Sequence, residues 1–178
     1  LDAITYTILK VAAPYVARLT ALISGTMLQC KRFPAVWAKA LTVLIHKKGS
    51  LDDINNWRPI SITSSWYRIW SCGLARAIQE VNKMRSIYSP AQKGFIQGLN
   101  GCMEHTASAN ELIHQARKES KDIHIIALDL RDAFGSVSHE YLLEALKELG
   151  FPESIRTVIK ESFDLSSTEF HIGSRKTN

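Results

Sequence analysis

The chain has 178 residues, 46% of them hydrophobic, enough for one large domain or two small ones and too apolar for a disordered, fibrous or collagen-like polypeptide. Its formal net charge of +5 and pI near 9.2 suit a polyanionic partner without specifying one. The charge is uneven: residues 1–100 carry +9 and residues 101–178 carry −4, so the basic surface belongs to the first part.

Cys30, Cys72 and Cys102 form no CxxC pair, which argues against a zinc ribbon or disulfide framework and fits a reducing compartment. No apolar run approaches the ~18 residues needed to span a bilayer, so no membrane association is expected. A start at Leu1 without methionine is expected of an excised or processed piece.

In chain order, Val16, Leu19, Ile23 and Met27 recur at helical spacing and predict a helix over 13–28, with Pro14 tolerated in its first turn. Lys31-Arg32-Phe33-Pro34 ends it. Leu41–Ile45 predicts a short strand, and the polar stretch 47–56 a loop leading to Trp57-Arg58-Pro59, where proline excludes a central, fully paired strand. A second helix is predicted over 65–84, with Ile69, Gly73, Ala77 and Val81 on one face, then an irregular segment over 86–101 and a helix over 102–117. Ile123–Leu128 (IHIIAL) is the strongest strand candidate, near-continuously apolar as in a strand buried on both faces, and ends at Asp129. A helix over 139–149 follows, capped by Ser138 and stopped by Gly150, then a helix to about 163 and a strand over 169–172. Helices and strands alternate without a regular βαβ repeat, so the expected class is α+β.

The segment 123–139, IHIIALDLRDAFGSVSH, carries the most chemistry. An aspartate at a strand end can hold a hard cation through oxygen, and Mg²⁺ in phosphoryl transfer is held by one or two carboxylates plus substrate phosphates. On residues alone, the plainer reading of Asp129 and Asp132 as turn residues outweighs this one. Lys47-Lys48 read equally well as a solvated loop, and Trp57, Trp66 and Trp70 read as core or interface aromatics. The six histidines have no metal-ligand spacing, and the glycines form no phosphate loop.

The wider pattern shifts that balance. DLRDAF at 129–134 resembles the first catalytic-aspartate motif of reverse transcriptases. LIHKKG at 44–49 with NNWRPISI at 55–62 resembles their fingers segment, and PAQKGFIQG at 90–98 resembles the segment after it. The stretch from Ser24 through FPAVW at 33–37 resembles an upstream block of non-LTR retrotransposon and group II intron enzymes. GFIQGLNGCMEH and DLRDAFGSVSH look most like site-specific non-LTR elements.

The resemblance implies a right-hand polymerase, with an N-terminal extension and fingers region over 1–122 and the first part of a palm over 123–178. It implies an RNA-directed DNA polymerase acting on an RNA template, a DNA primer or target and deoxynucleoside triphosphates in the nucleus, with two Mg²⁺ ions. By that resemblance Asp129 is the first metal-binding aspartate and the Leu130 carbonyl touches the second ion. The N–H groups of Asp132 and Ala133 meet the triphosphate, and Phe134 crowds the sugar 2′ position, unless it is simply a core residue joining strand to helix. Lys47 and Arg58 grip the triphosphate, while Gln92, Gly94 and Phe95 border the template. Gly135 departs from the aspartate many relatives carry at a position that is not a ligand. The family's downstream Tyr-x-Asp-Asp hairpin is not present, the only aspartate after 132 being Asp164, and no nuclease motif is present. The expectation is therefore a chain cut before its active site is complete and inactive alone. The runner-up is a non-catalytic nucleic-acid-binding retroelement remnant, and the third reading a structural scaffold.

Overall fold

The computed structural model describes residues 2, 4–130, 132–172 and 175–176. They fall into two compact units, one formed by residues 1–73 with 138–178, the other by residues 74–137. Mixed helices and a small sheet match the expected class.

In the first unit, α1 (Tyr6–Val11), capped by Thr5, runs into α2 (Ala13–Cys30), which has Pro14 in its first turn and ends at Lys31 with φ 52°. Pro34 opens a single 3₁₀ turn (Ala35–Trp37) that delivers the chain to β1 (Lys39–His46). The loop after β1 returns as β2 (Trp57–Thr63), antiparallel to it, with Leu44 opposite Pro59. The sheet order is β2-β1-β3-β4, so β2 is an edge strand and the missing proline N–H takes no ladder bond from a central position. After α5 (His139–Glu148) and α6 (Glu153–Asp164), β3 (Ser167–Ile172) joins β1 in parallel and β4 (Arg175–Lys176) pairs antiparallel with β3. Ser138 caps α5 through the Tyr141 N–H, as the sequence predicts. His139 stacks on Phe163 at 4.2 Å between the two helices.

The core of this unit is Met27, Phe33, Trp37, Ala38 and Val158, with Ile23, Trp66, Tyr67 and Trp70 against it. Phe33 meets Trp37, Tyr67 and Trp70 edge-on, and Trp37 stacks on Trp66. Trp66 and Trp70 are thus core aromatics, as read from the sequence. Across the sheet, buried Thr42 joins its hydroxyl to Ser61 at 2.7 Å and Thr168 at 2.6 Å, tying three strands in one row. Asp2 accepts from the Ser65 N–H at 2.5 Å and so caps α3 (Ser65–Arg85) across the sequence. Burial would raise the Asp2 pKa, but the N–H bonds from Ser65 and Ile4 outweigh it and leave the carboxyl below its ordinary value.

α3 begins in the first unit and ends in the second. Its half-buried face is Tyr67, Trp70, Leu74, Ile78 and Val81, whereas Gly73 and Ala77 are exposed, so the predicted stripe is rotated. The aromatics at 66, 67 and 70 set the helix's rotation, because large rings bury the most area. In the second unit, α4 (Gly101–Lys118) is capped by Asn100 and follows the irregular segment expected over 86–100.

The strand predicted over 123–128 does not form. Residues 121–130 have no regular structure, with Ile126 83% and Leu128 91% exposed, and Asp129 therefore does not terminate a buried strand. Extension is a local preference but a strand requires a partner, and every strand among the described residues belongs to the other unit. The buried hydrophobic set is correspondingly small for so apolar a chain: among the described residues it is the five core residues and Ile159. The sequence reading missed α1, β2 and β4.

Candidate functional site

The predicted cations sit on the β1–β2 hairpin. Ile45 pairs with Arg58, and the Lys47 N–H continues the ladder to the Asn56 carbonyl at 2.8 Å. Alternation therefore puts Lys47 and Arg58 on one face as diagonal neighbours, a spacing of about 7–8 Å that long side chains can close. Both are exposed, and neither forms an ion pair with another described residue.

The loop between them is built rather than slack. The Asn56 side-chain N–H donates to the Ser50 carbonyl at 2.9 Å, the Trp57 indole N–H donates to the Leu51 carbonyl at 2.9 Å, and Asp53 caps the 3₁₀ turn Ile54–Asn56. Gly49 has φ 95°, and a Cβ there would lie 2.7 Å from the Asn56 Nδ2. Trp57 also meets His46 edge-on at 5.1 Å, so Trp57 is a structural aromatic of this hairpin.

The remaining predicted residues lie in the second unit. Asp129 and Leu130 are exposed in the irregular segment. Asp132 has φ 49°, a left-handed kink, and its carbonyl accepts from the Ser136 N–H at 2.9 Å. Its carboxylate folds over Gly135, where a Cβ would come within 2.9 Å of the Asp132 Cγ and turn that exposed carboxylate aside. The N–H groups of Asp132 and Ala133 donate to no described residue, and a kinked turn of this kind can offer successive amides to an anion. Phe134 is 84% exposed, contrary to the core reading, and meets Phe95, itself 86% exposed, edge-on at 6.2 Å.

Gln92 donates to the Gly94 carbonyl at 2.9 Å, and together with Phe95 these residues line one side of an open cavity of about 540 Å³ that also includes Tyr88 and Ile96. The structure thus brings together Gln92, Gly94, Phe95 and, through its ring, Phe134. Its anchoring residues went unseen in the sequence reading. Gln79 on α3 donates to the Phe95 carbonyl at 2.9 Å and accepts from the Gln97 N–H at 2.8 Å, while Asn82 accepts from the Tyr88 N–H at 2.7 Å. Their signal was amides on the half-buried side of an otherwise apolar helix face.

Asp129 and the Leu130 carbonyl are hard oxygen donors of the kind Mg²⁺ takes, but an octahedral ion needs about six ligands, so the fit is one of kind and not of number. No group of three or more metal-capable side chains occurs among the described residues. Asp164 is no spare ligand: it pairs with Lys160 at 2.5 Å. No helix among the described residues is long and apolar enough to cross a membrane.

Residues 45–177 match the family model described as reverse transcriptase (RNA-dependent DNA polymerase). The chain is 32% identical over 140 residues to the Pol polyprotein of the type-1 retrotransposable element R2 of Popillia japonica, a match covering 79% of this chain and 19% of that protein. It is 30% identical over 141 residues to a probable RNA-directed DNA polymerase from transposon BS of Drosophila melanogaster, covering 79% and 15%. It is likewise 30% identical over 154 residues to the RNA-directed DNA polymerase from mobile element jockey of the same species, covering 85% and 16%. The chain spans about a fifth or less of these relatives.

Proposed function

Because this chain belongs to the reverse transcriptase (RNA-dependent DNA polymerase) family, we propose that it supplies the fingers and the first part of the palm of a retrotransposon's RNA-directed DNA polymerase. Residues 1–122 are the extension and fingers, and residues 123–178 the palm portion. The observation that carries this reading is the family match across 45–177, which takes in the Lys47 and Arg58 face and the aspartate motif in one alignment.

Lys47 offers a mobile point charge and Arg58 a planar fork of donors, a pair suited to the oxygens of an incoming deoxynucleoside triphosphate. The amides of Asp132 and Ala133 add fixed partial charge for the same anion. Phe134 stands below the sugar and excludes a 2′-hydroxyl. Gln92, Gly94 and Phe95 border the RNA template, and the DNA primer or target lies against Asp129. Mg²⁺, when bound, offsets the charge on the attacking and leaving oxygens. Two ions would be held there, with Asp129 as a carboxylate ligand and the Leu130 carbonyl touching the second, together with further carboxylates and the triphosphate. Residues 123–128 gain the strand their composition favours when another palm strand pairs with them. The reading places the activity in the nucleus.

The test is DNA extension on an RNA template with Mg²⁺. The 178-residue chain alone gives none. In the full-length protein, Asp129→Ala abolishes synthesis while nucleic-acid binding persists, and loss of Lys47 and Arg58 together weakens triphosphate affinity more than template affinity. Synthesis surviving Asp129→Ala refutes the assignment. The uneven charge favours a second reading, a non-catalytic binding module whose basic half, residues 1–100, tracks phosphates. That reading requires steeply salt-dependent, sequence-independent binding together with a full-length protein that synthesises no DNA.

A further inference from the structure

Phe95 combines features that burial does not explain. Its backbone lies in the left-handed region at φ 59°, a conformation side chains other than glycine rarely adopt, yet its ring is left in solvent. The strain is held in place from α3. The Gln79 amide clasps the backbone just after the kink, giving one hydrogen bond to the Phe95 carbonyl and taking one from the Gln97 N–H. Gln92, closing on the Gly94 carbonyl, fixes the residue just before it. The one ring Phe95 then reaches among the described residues is Phe134, edge-on with planes at 73°.

We propose that Phe95 is a sugar-discriminating residue that acts through Phe134, bracing its ring, and that Gln79 is the positioning residue that sets the brace. The inference rests on the proposed role of Phe134 as the sugar gate. A ring that excludes a single hydroxyl discriminates only if moving it is costly, and an exposed, unsupported side chain changes rotamer within picoseconds to nanoseconds. A second ring packed edge-to-face with it disfavours that escape, because the favoured geometry resists displacement. The left-handed kink, held by two hydrogen bonds, aims Phe95 at this task instead of at the core.

The experiment measures kcat/KM for a deoxynucleotide against the matching ribonucleotide in the full-length protein. Taking the ratio within each preparation cancels any difference in the amount of folded enzyme. Phe134→Ala should relax the preference most. Phe95→Ala should relax it about 3- to 10-fold, the range an aromatic edge contact supports. Phe95→Tyr should retain the preference, and Gln79→Leu, which keeps the bulk and removes both hydrogen bonds, should shift it in the same direction as Phe95→Ala. In the Phe134→Ala background Phe95→Ala should produce no further change. An unchanged ratio in Phe95→Ala beside a relaxed Phe134→Ala overturns the brace and leaves the gate. An equal effect in both backgrounds also overturns it, because Phe95 then acts elsewhere. An unchanged ratio in Phe134→Ala overturns the gate reading and the brace with it.

Discussion

Glu161 on α6 should hold the first unit together out of proportion to its single charge. One carboxylate oxygen accepts from the buried Phe33 N–H and the other from the Arg32 guanidinium at 2.8 Å, tying the turn after α2 to α6. Glu161→Ala leaves the Phe33 N–H without a partner beside the core, at a cost of about 1–3 kcal/mol. It also removes a side-chain methylene, worth about 0.8 kcal/mol where buried. The carboxylate side chain is only 18% exposed, but Arg32 stands in water, so the ion pair itself adds little. The expected loss is about 2–4 kcal/mol, or about 4–16 °C in the melting temperature of a chain this size. Thermal unfolding of the 178-residue chain, followed by tryptophan fluorescence from the Phe33 cluster, measures it. Glu161→Gln keeps a neutral acceptor for the N–H and should lose clearly less. Glu153→Ala, which breaks only the exposed pair with Lys31 at 2.9 Å, should leave the melting temperature nearly unchanged. If Glu161→Ala melts with the wild type, water satisfies the Phe33 N–H and the reasoning is wrong.

Acid should weaken the same junction. The Arg32 hydrogen bond, outweighing burial and helped by the Phe33 N–H, holds the Glu161 carboxyl below its ordinary value of 4.5, and Asp2 is depressed as well. Their stabilisation is complete above the ordinary carboxylate range and is lost as pH falls through the lower folded-state values, so Glu161→Gln should flatten the acid limb of a stability–pH curve. Thr42→Val keeps the shape but strips the row joining Ser61 and Thr168, and denaturant unfolding should show a loss of about 1–2 kcal/mol. Replacing all three hydroxyls together should cost less than the sum of the single changes, and strict additivity would contradict a shared network. Gly49→Ala forces a Cβ against Asn56 in a left-handed backbone, a local strain of about 1–3 kcal/mol. Amide exchange at Lys47 should accelerate, and unchanged protection would show that the loop does not depend on this turn.

Local features are legible in the chain alone. The helices at 13–30, 65–85, 101–118 and 139–148 follow from apolar spacing, the Ser138 cap and the Gly150 stop, because a helix satisfies its backbone within its own segment. The family membership was likewise written in short blocks such as DLRDAF and NNWRPISI, and chemical motifs survive without knowledge of packing. Features that need partners distant in the chain follow only from packing. Residues 123–128 have strand composition yet no strand to pair with among the described residues, while 57–63, proline included, became an edge strand once β1 lay beside it. The Trp66, Tyr67 and Trp70 rings rotated α3 away from its predicted face, because Tyr67 and Trp70 pack on Phe33 and Trp66 on Trp37. Phe134 lies in solvent against Phe95, a contact between residues 39 positions apart, and the amide that holds the Phe95 backbone comes from a helix that carries none of the motifs. Side-chain clasps of this kind depend on distances in space, and spacing along the chain does not encode them.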